Sequence, residues 1–264
     1  METATETPGF VPISEWPTLE ALCDGFDEHL LSPSNKLNGQ RFELAFEDGT
    51  DIEHHFLDTD TIFWSITKGT KGVGLTGEAK YRAFEVRPDV FFVDFHKIDY
   101  NEEVSIVMNI KSGQTVVGIS GFRDTTGVRR TYTKFSNAYI SGLAPSQPYK
   151  NTDELIGKHV VYRYTGDDAY EHIYLNQGTF TWHCLSGTEK GLADTEPCKM
   201  LKLADQLYLL FWTEKIMPVE SVVVVDLKEM RSTGRFFCWD PKPEKLVSTL
   251  FGSYATLLAD TRTR

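Results

Sequence analysis

Two stretches of the chain decide its fold. Residues 37–64 read LNGQRFELAFEDGTDIEHHFLDTDTIFW, and residues 155–182 read LIGKHVVYRYTGDDAYEHIYLNQGTFTW. A constant shift of 118 aligns them without a gap and places Trp64 on Trp182, together with matching glycine, glutamate and histidine positions. Glycine, histidine and tryptophan are individually too rare for such agreement to arise by chance, so the chain contains two copies of one module.

The similarity extends beyond these stretches. At a shift of 117, VFFVDFHK at 90–97 aligns with LYLLFWTE at 207–214, which implies one residue gained or lost in a loop. The spacing predicts a leader with a short helix, two modules, a connector rich in turn-forming residues and a tail. These segments are residues 1–36 (leader), 37–123 (first module), 124–154 (connector), 155–240 (second module) and 241–264 (tail).

Each module is predicted to be all-β. Its segments are short, aromatic or β-branched, and separated by turn signals such as Glu47-Asp48-Gly49, which is typical of antiparallel barrels and sandwiches. Helices are predicted only near the termini, at 18–29 and 246–258. A barrel of about eight strands has room for one small ligand, so the inward faces are the expected sites.

Composition excludes several partners. The 264 residues carry a net charge of −11, which repels the phosphates of nucleic acids and of anionic membranes. No apolar run approaches the roughly 20 residues of a membrane helix, and the first ten residues lack signal-peptide features, so a cytoplasmic protein with free thiols is expected. The expected partner is a small molecule, and a homodimer is left open.

The second module carries the densest set of candidate functional residues. In YEHIYLN, alternation places Tyr170, His172, Tyr174 and Asn176 on one face, which we expect to be interior. Candidate acid–base groups are His172, Tyr174, His183 and Glu214. Candidate ligand-binding residues are Trp182 and Trp212 as apolar walls, and Lys190 and Asp194 on a loop that caps the barrel.

The first module offers an equivalent set. Asp94 and His96 lie two apart on an apolar strand, where a buried carboxylate and imidazole are costly unless paired or functional. They are therefore candidate catalytic residues, and His54, Trp64 and Tyr81 are candidate ligand-binding residues. In both modules the alternative is structural: aromatics that plug a barrel interior, or polar groups that are solvated outside it.

No metal or cofactor is expected. His172, His183, Cys184 and Cys198 lack the tight spacing of zinc ligands. The glycines of KGTKGVGLTGE at 68–78 lack the ending of a phosphate-binding loop, and no helix follows them, so the segment is predicted to be a hairpin loop.

The blocks YEHIYLN, FTWHCLSG, EKGLADTE and WTEK resemble the C-terminal domain of the molybdenum cofactor biosynthesis protein F family. NGQRFELAFEDG and RAFEVRPDVFFVDF resemble its N-terminal domain. The resemblance covers residues 37–240 and implies a tandem pair of lipocalin-like barrels related by duplication.

Three functions are open at this point. The first is a cofactor-independent enzyme of the lyase, isomerase, decarboxylase or cyclase type, which uses His and Asp or Glu for acid–base catalysis on a hydrophobic or aromatic metabolite. The second is a non-catalytic protein that binds such a metabolite. The third, implied by the resemblance, is an accessory role in molybdenum cofactor metabolism.

Overall fold

A computed structural model describes residues 15–144 and 147–262. Pro145, in the predicted connector, lies outside the described residues. Within them the chain folds into two closed antiparallel barrels of eight strands each, in tandem, which confirms the predicted fold class. In the same ranges no helix has the length and apolarity needed to cross a membrane.

The described part of the leader contains helix α1 (Leu19–Leu22), which is shorter than the helix predicted at 18–29. The first barrel follows, with strand order β1 to β8 and closure by pairing of β1 with β8. A short 3-10 turn, Ile98–Tyr100, follows β5. The strands are β1 (Arg41–Phe46), β2 (Asp51–Phe56), β3 (Thr61–Lys68), β4 (Thr76–Arg87), β5 (Val90–Lys97), β6 (Glu102–Asn109), β7 (Gln114–Thr125) and β8 (Val128–Ile140).

The second barrel is closed by pairing of β10 with β17 and of β12 with β13, and the two-residue strand β9 adds to the edge of β13. The strands are β9 (Lys150–Asn151), β10 (Lys158–Arg163), β11 (Ala169–Asn176), β12 (Thr179–Ser186), β13 (Ala193–Ala204), β14 (Leu207–Thr213), β15 (Val219–Asp226), β16 (Arg231–Asp240) and β17 (Lys245–Asp260).

The duplication is visible in the strand register. His54 lies opposite Trp64 across β2 and β3, and His172 lies opposite Trp182 across β11 and β12. The same cross-strand pair therefore occurs at the same place in each barrel, which confirms the internal repeat.

Two predictions about the ends of the modules are wrong. Strand β8 lies in the predicted connector, and the predicted helix at 246–258 is part of strand β17. Both are closing strands of their barrels. Pairing with strands distant in sequence satisfies their backbone groups, and this tertiary contact outweighs local propensity.

The barrels pack side against side. Alternation along β5 sends Phe91, Val93 and Phe95 into the first barrel, whereas Phe92 faces the second. Phe92 joins an apolar cluster that includes Leu209 of β14. At the rim of this contact two strong hydrogen bonds link the barrels, because both Nε and Nη2 of Arg87 donate to the Asp226 carboxylate at 2.6 Å.

Candidate functional site

The interior of the second barrel contains a cavity of about 70 Å³. Aromatic side chains form much of its wall, and two carboxyl groups and one imidazole also line it. Its aromatic lining residues include Phe26, Tyr164, Tyr170, Trp182, Trp212 and Phe236.

His172 lines this cavity from strand β11. Alternation turns Tyr170, His172 and Tyr174 inward, as predicted, whereas Asn176 is exposed at the end of the strand. The imidazole is 4% exposed, and its centroid is 5.6 Å from that of Trp212. Burial lowers the pKa of His172 to about 3, so the ring is neutral at neutral pH.

Two buried polar atoms at the cavity have no hydrogen-bond partner within the described residues. They are Nδ1 of His172 and Nε1 of Trp182, and both residues line the cavity. Buried polar groups in folded proteins are normally paired, because an unpaired one costs about 1–3 kcal/mol. These atoms are therefore the polar positions at which a bound molecule could gain hydrogen bonds.

Two carboxyl groups complete the polar part of the wall. Tyr170 donates a hydrogen bond of 2.8 Å to Oε2 of Glu189, and burial raises the pKa of Glu189. Burial, together with the nearby charge of Glu189, raises the pKa of Glu214 well above its ordinary value. The cavity thus holds a neutral imidazole beside two carboxyl groups whose pKa is raised by burial.

Tyr174 lies behind the cavity rather than on its wall. Its hydroxyl is 2.8 Å from that of Tyr162, and both rings are fully buried. Burial raises the pKa of Tyr174, which disfavours its phenolate. The structure therefore places this predicted catalytic residue in the core that supports His172.

The leader closes the mouth of the cavity, a feature that the sequence analysis missed. Five leader residues line the cavity: Trp16, Leu19, Leu22, Cys23 and Phe26. Phe26 stacks on Tyr164 with 4.7 Å between centroids, and the backbone N–H of Leu19 donates to Asp240 Oδ2 at 2.7 Å. Their apolar spacing of three to four residues is a signal that could have marked the leader as part of the barrel wall.

The other candidates in the second half lie outside the cavity. Since Trp182 points inward, its neighbour His183 points out, where its Nδ1 is 3.7 Å from Glu171. Lys190 is exposed. Asp194 lies opposite Trp182 and pairs with Lys215 Nζ at 3.0 Å.

The structure does not gather the four residues weighed as zinc ligands. His172 is buried on the cavity wall, whereas His183 is partly exposed on the outer face. Across residues 15–144 and 147–262, no group of three or more His, Cys, Asp or Glu side chains is arranged to hold a metal ion.

The ligand-binding candidates of the first barrel are buried, and each contacts other groups of that barrel. His54 is 5% exposed, and its centroid is 6.3 Å from that of Phe95. The Tyr81 hydroxyl donates to the Asp58 carbonyl at 2.9 Å. Trp64 is covered by Lys97, whose Nζ is 4.7 Å from the indole centroid.

Asp94 and His96 do not form the predicted pair. They lie on the outer face of β5, between the barrels. Asp94 accepts a hydrogen bond of 2.7 Å from Ser105 and lies 3.7 Å from Arg235 Nε, while His96 Nδ1 is 2.8 Å from Glu103. The apolar pattern of this strand correctly predicted burial of Asp94, but the second barrel, rather than the interior of the first, covers it.

Both halves of the chain match domains of one protein family. Residues 14–124 match the MoaF N-terminal domain, and residues 149–261 match the MoaF C-terminal domain. The chain is 31% identical over 230 residues to Protein MoaF of Klebsiella aerogenes, which covers 81% of this chain and 84% of that protein. A crystal structure "of a putative beta-lactamase from Burkholderia vietnamiensis" aligns with 41% of this chain and 97% of its own at 17% identity, with a TM-score of 0.33. The chain belongs to the MoaF family.

Proposed function

We propose that the second barrel binds a small, flat heteroaromatic molecule of the pterin class, as part of an accessory role in molybdenum cofactor metabolism. The observation that carries this proposal is the pair of unpartnered atoms, His172 Nδ1 and Trp182 Nε1, at the wall of an aromatic cavity. Ligand sites are typically apolar cavities with a few convergent polar groups.

The wall matches the chemistry of a pterin ring. Aromatic rings favour stacked or edge-on contact with a flat ligand. Glu189 and Glu214 offer acceptors for its adjacent N–H groups, and Trp182 Nε1 offers a donor for a ring nitrogen or carbonyl. Family membership supports the choice of ligand, because the molybdenum cofactor is built on a pterin.

The cavity volume sets a condition on entry. At about 70 Å³, it is smaller than the roughly 150 Å³ apolar cavity that admits benzene. A bicyclic ring therefore requires the leader around Trp16 to move outward. Ligand binding and leader position should be coupled.

A second candidate is the cofactor-independent acid–base enzyme. The observation that favours it is the opposite pKa shifts in one cavity: His172 is lowered and Glu214 is raised, both chiefly by burial. Titratable groups pushed apart in this way are the usual arrangement of a base and an acid. This candidate requires that a bound molecule is converted.

Calorimetric titration tests both candidates. We expect wild-type protein to bind a pterin more tightly than lumazine, which replaces the exocyclic amine with a carbonyl that would oppose the carboxyl groups. The substitution His172→Phe should weaken pterin binding about tenfold or more, since it removes a buried hydrogen bond. The matched substitution His54→Phe in the first barrel should leave it unchanged.

Three outcomes would contradict these proposals. Equal affinity for pterin and lumazine would exclude carboxyl recognition of the amine, and the absence of binding to both would exclude the pterin class. A molybdate titration run in parallel tests whether the protein binds the metal oxyanion instead of the pterin. If His172→Phe preserves the affinity for a bound compound but abolishes its turnover, the protein is the acid–base enzyme and not a non-catalytic binding protein.

A further inference from the structure

The hairpin of β7 and β8 carries an unusual pair of like charges. Arg123 and Arg130 lie directly opposite each other in the strand register. Like charges in this position destabilise a hairpin. Neither guanidinium has a carboxylate within 4 Å in the described residues, although the protein as a whole is acidic. The neighbouring position differs, because Arg129 pairs with Asp124 at 3.0 Å.

This pair of arginines borders a groove of about 530 Å³ between the hairpin and the second barrel. The far side of the groove contains Thr213, Glu214 and Lys215, and the Arg130 guanidinium reaches across to the Lys215 carbonyl oxygen. Arg123 is held beside the Tyr132 ring, with 4.9 Å from its guanidinium carbon to the centroid. The groove therefore gathers three cationic side chains.

The local anions do not neutralise these cations. The one carboxylate paired with Lys215 in the described residues is Asp194, at 3.0 Å. Glu214 also borders the groove, but within the described residues it forms no ion pair of 4 Å or less with Arg123, Arg130 or Lys215. Two guanidinium groups are thus left without a counter-charge, which is the arrangement that recognises phosphate in proteins.

We infer that this groove binds the phosphate group of a small-molecule ligand through Arg123, Arg130 and Lys215. Glu214 lines both the groove and the cavity of the second barrel, so the two sites adjoin at this residue, where one ligand would span them. The placement of a heteroaromatic ring in the cavity rests on the proposed function, whereas the phosphate site rests on the arginines alone. The substrate class that follows is a heteroaromatic phosphomonoester.

Inorganic phosphate is the probe that tests the groove without the ring. At low ionic strength, calorimetric titration should detect phosphate binding to the full chain. Arg123→Gln should weaken it about tenfold, since one charge-assisted hydrogen bond is lost. The matched control Arg129→Gln removes the same charge from the same hairpin, and should change the affinity less than twofold.

Thermal unfolding gives an independent measurement. Without phosphate, Arg123→Gln should raise the melting temperature slightly, because the repulsion between Arg123 and Arg130 is removed. With phosphate, the melting temperature of the wild type should rise while that of Arg123→Gln should not. Equal loss of affinity in Arg123→Gln and Arg129→Gln would overturn the inference, as would the absence of phosphate binding to the wild type.

The outcomes separate this site from the cavity. His172→Phe should bind phosphate as the wild type does. If a pterin fails to bind but phosphate binds and depends on Arg123, the groove stands and the proposed cavity ligand falls. If the pterin binds and phosphate does not, the proposed cavity ligand stands and the phosphate site in the groove falls.

Discussion

The two barrels repeat one histidine–tryptophan pair but use it differently. In the first barrel, Gly77 lies opposite Trp64, and a Cβ at that glycine would be 2.7 Å from Cζ2 of the indole. The missing side chain lets Trp64 pack closely against β4. In the second barrel the residue opposite Trp182 is Asp194, and Trp182 lines an open cavity with its Nε1 unpartnered. One difference across a strand pair thus accompanies a tryptophan packed against its neighbouring strand in one barrel and a tryptophan on a cavity wall in the other.

The covers of the two interiors also differ. Lys97 and Tyr100, which come from the first barrel itself, cover Trp64. The second cavity is closed by the leader, whose chain precedes the first barrel. This cover is a separate segment held to the barrel by hydrogen bonds, such as that from the Gly252 N–H to the Phe26 carbonyl oxygen at 3.0 Å. The proposed ligand site therefore lies in the barrel whose cover is not one of its own strands.

The largest expected effect tests whether the barrels are independent. Arg235 is fully buried and its Nη1 donates to Glu220 at 2.9 Å, with Asp94 nearby across the interface. Arg235→Ala leaves these carboxyl groups buried without a counter-charge, and should cost about 3–5 kcal/mol of unfolding free energy. Urea unfolding measures the loss, and Arg129→Gln should leave the midpoint unchanged. A small loss would mean that the two barrels do not depend on this network.

The next effect concerns the packing difference itself. Gly77→Ala should destabilise the first barrel by about 3 kcal/mol, because its Cβ overlaps the indole of Trp64. At the equivalent position of the second barrel, Asp194→Ala removes a partly exposed ion pair and should cost less than about 1 kcal/mol. Chemical denaturation of both variants gives the comparison. Equal costs would show that Trp64 and Trp182 have similar surroundings.

The pH dependence of stability should report both histidines. Burial lowers the pKa of His172 to about 3 and that of His54 to about 4. The unfolded chain takes up a proton near pH 6.5 and the folded chain does not, so stability is lost as the pH falls from 6.5 toward these values. His172→Phe and His54→Phe should each remove about 2 kcal/mol of the loss between pH 7 and pH 5.

A carboxyl group of the second barrel acts in the opposite direction. Burial raises the pKa of Glu196 to about 7. The unfolded chain releases this proton first, so stability is lost as the pH rises from about 4.5 to 7. Urea unfolding at several pH values separates the two effects, and Glu196→Gln should remove the loss at the higher pH. If the loss of stability on lowering the pH below 6.5 is unchanged in His172→Phe, the burial of that imidazole is contradicted.

The smallest expected effect concerns the covers. Trp16→Ala should weaken pterin binding about fivefold, because the aromatic contact that Trp16 makes with the ligand after the leader has moved outward is lost. The matched change in the first barrel, Tyr100→Ala, should leave the affinity as it is, since Tyr100 covers Trp64 instead. Fluorescence titration of both variants is sufficient. An equal decrease in both would contradict the assignment of the ligand to the second barrel.

The sequence by itself determined the duplication, the barrel fold and the inward face of YEHIYLN. These follow from local signals: a shift of 118, short alternating strands and the period of two along a strand. The same alternation, applied to Trp182, would have placed His183 outside. The placement of His172 was predictable for this reason, as was the burial of Asp94.

Only the tertiary structure decided what each buried face meets. Asp94 and His96 face another barrel rather than a ligand, Tyr174 meets Tyr162, and the leader lies over the second cavity. The closing strands β8 and β17 likewise depend on partners far away in the chain. Periodicity within a segment determines that a side chain is buried, but the packing of distant segments determines whether it meets protein or a cavity.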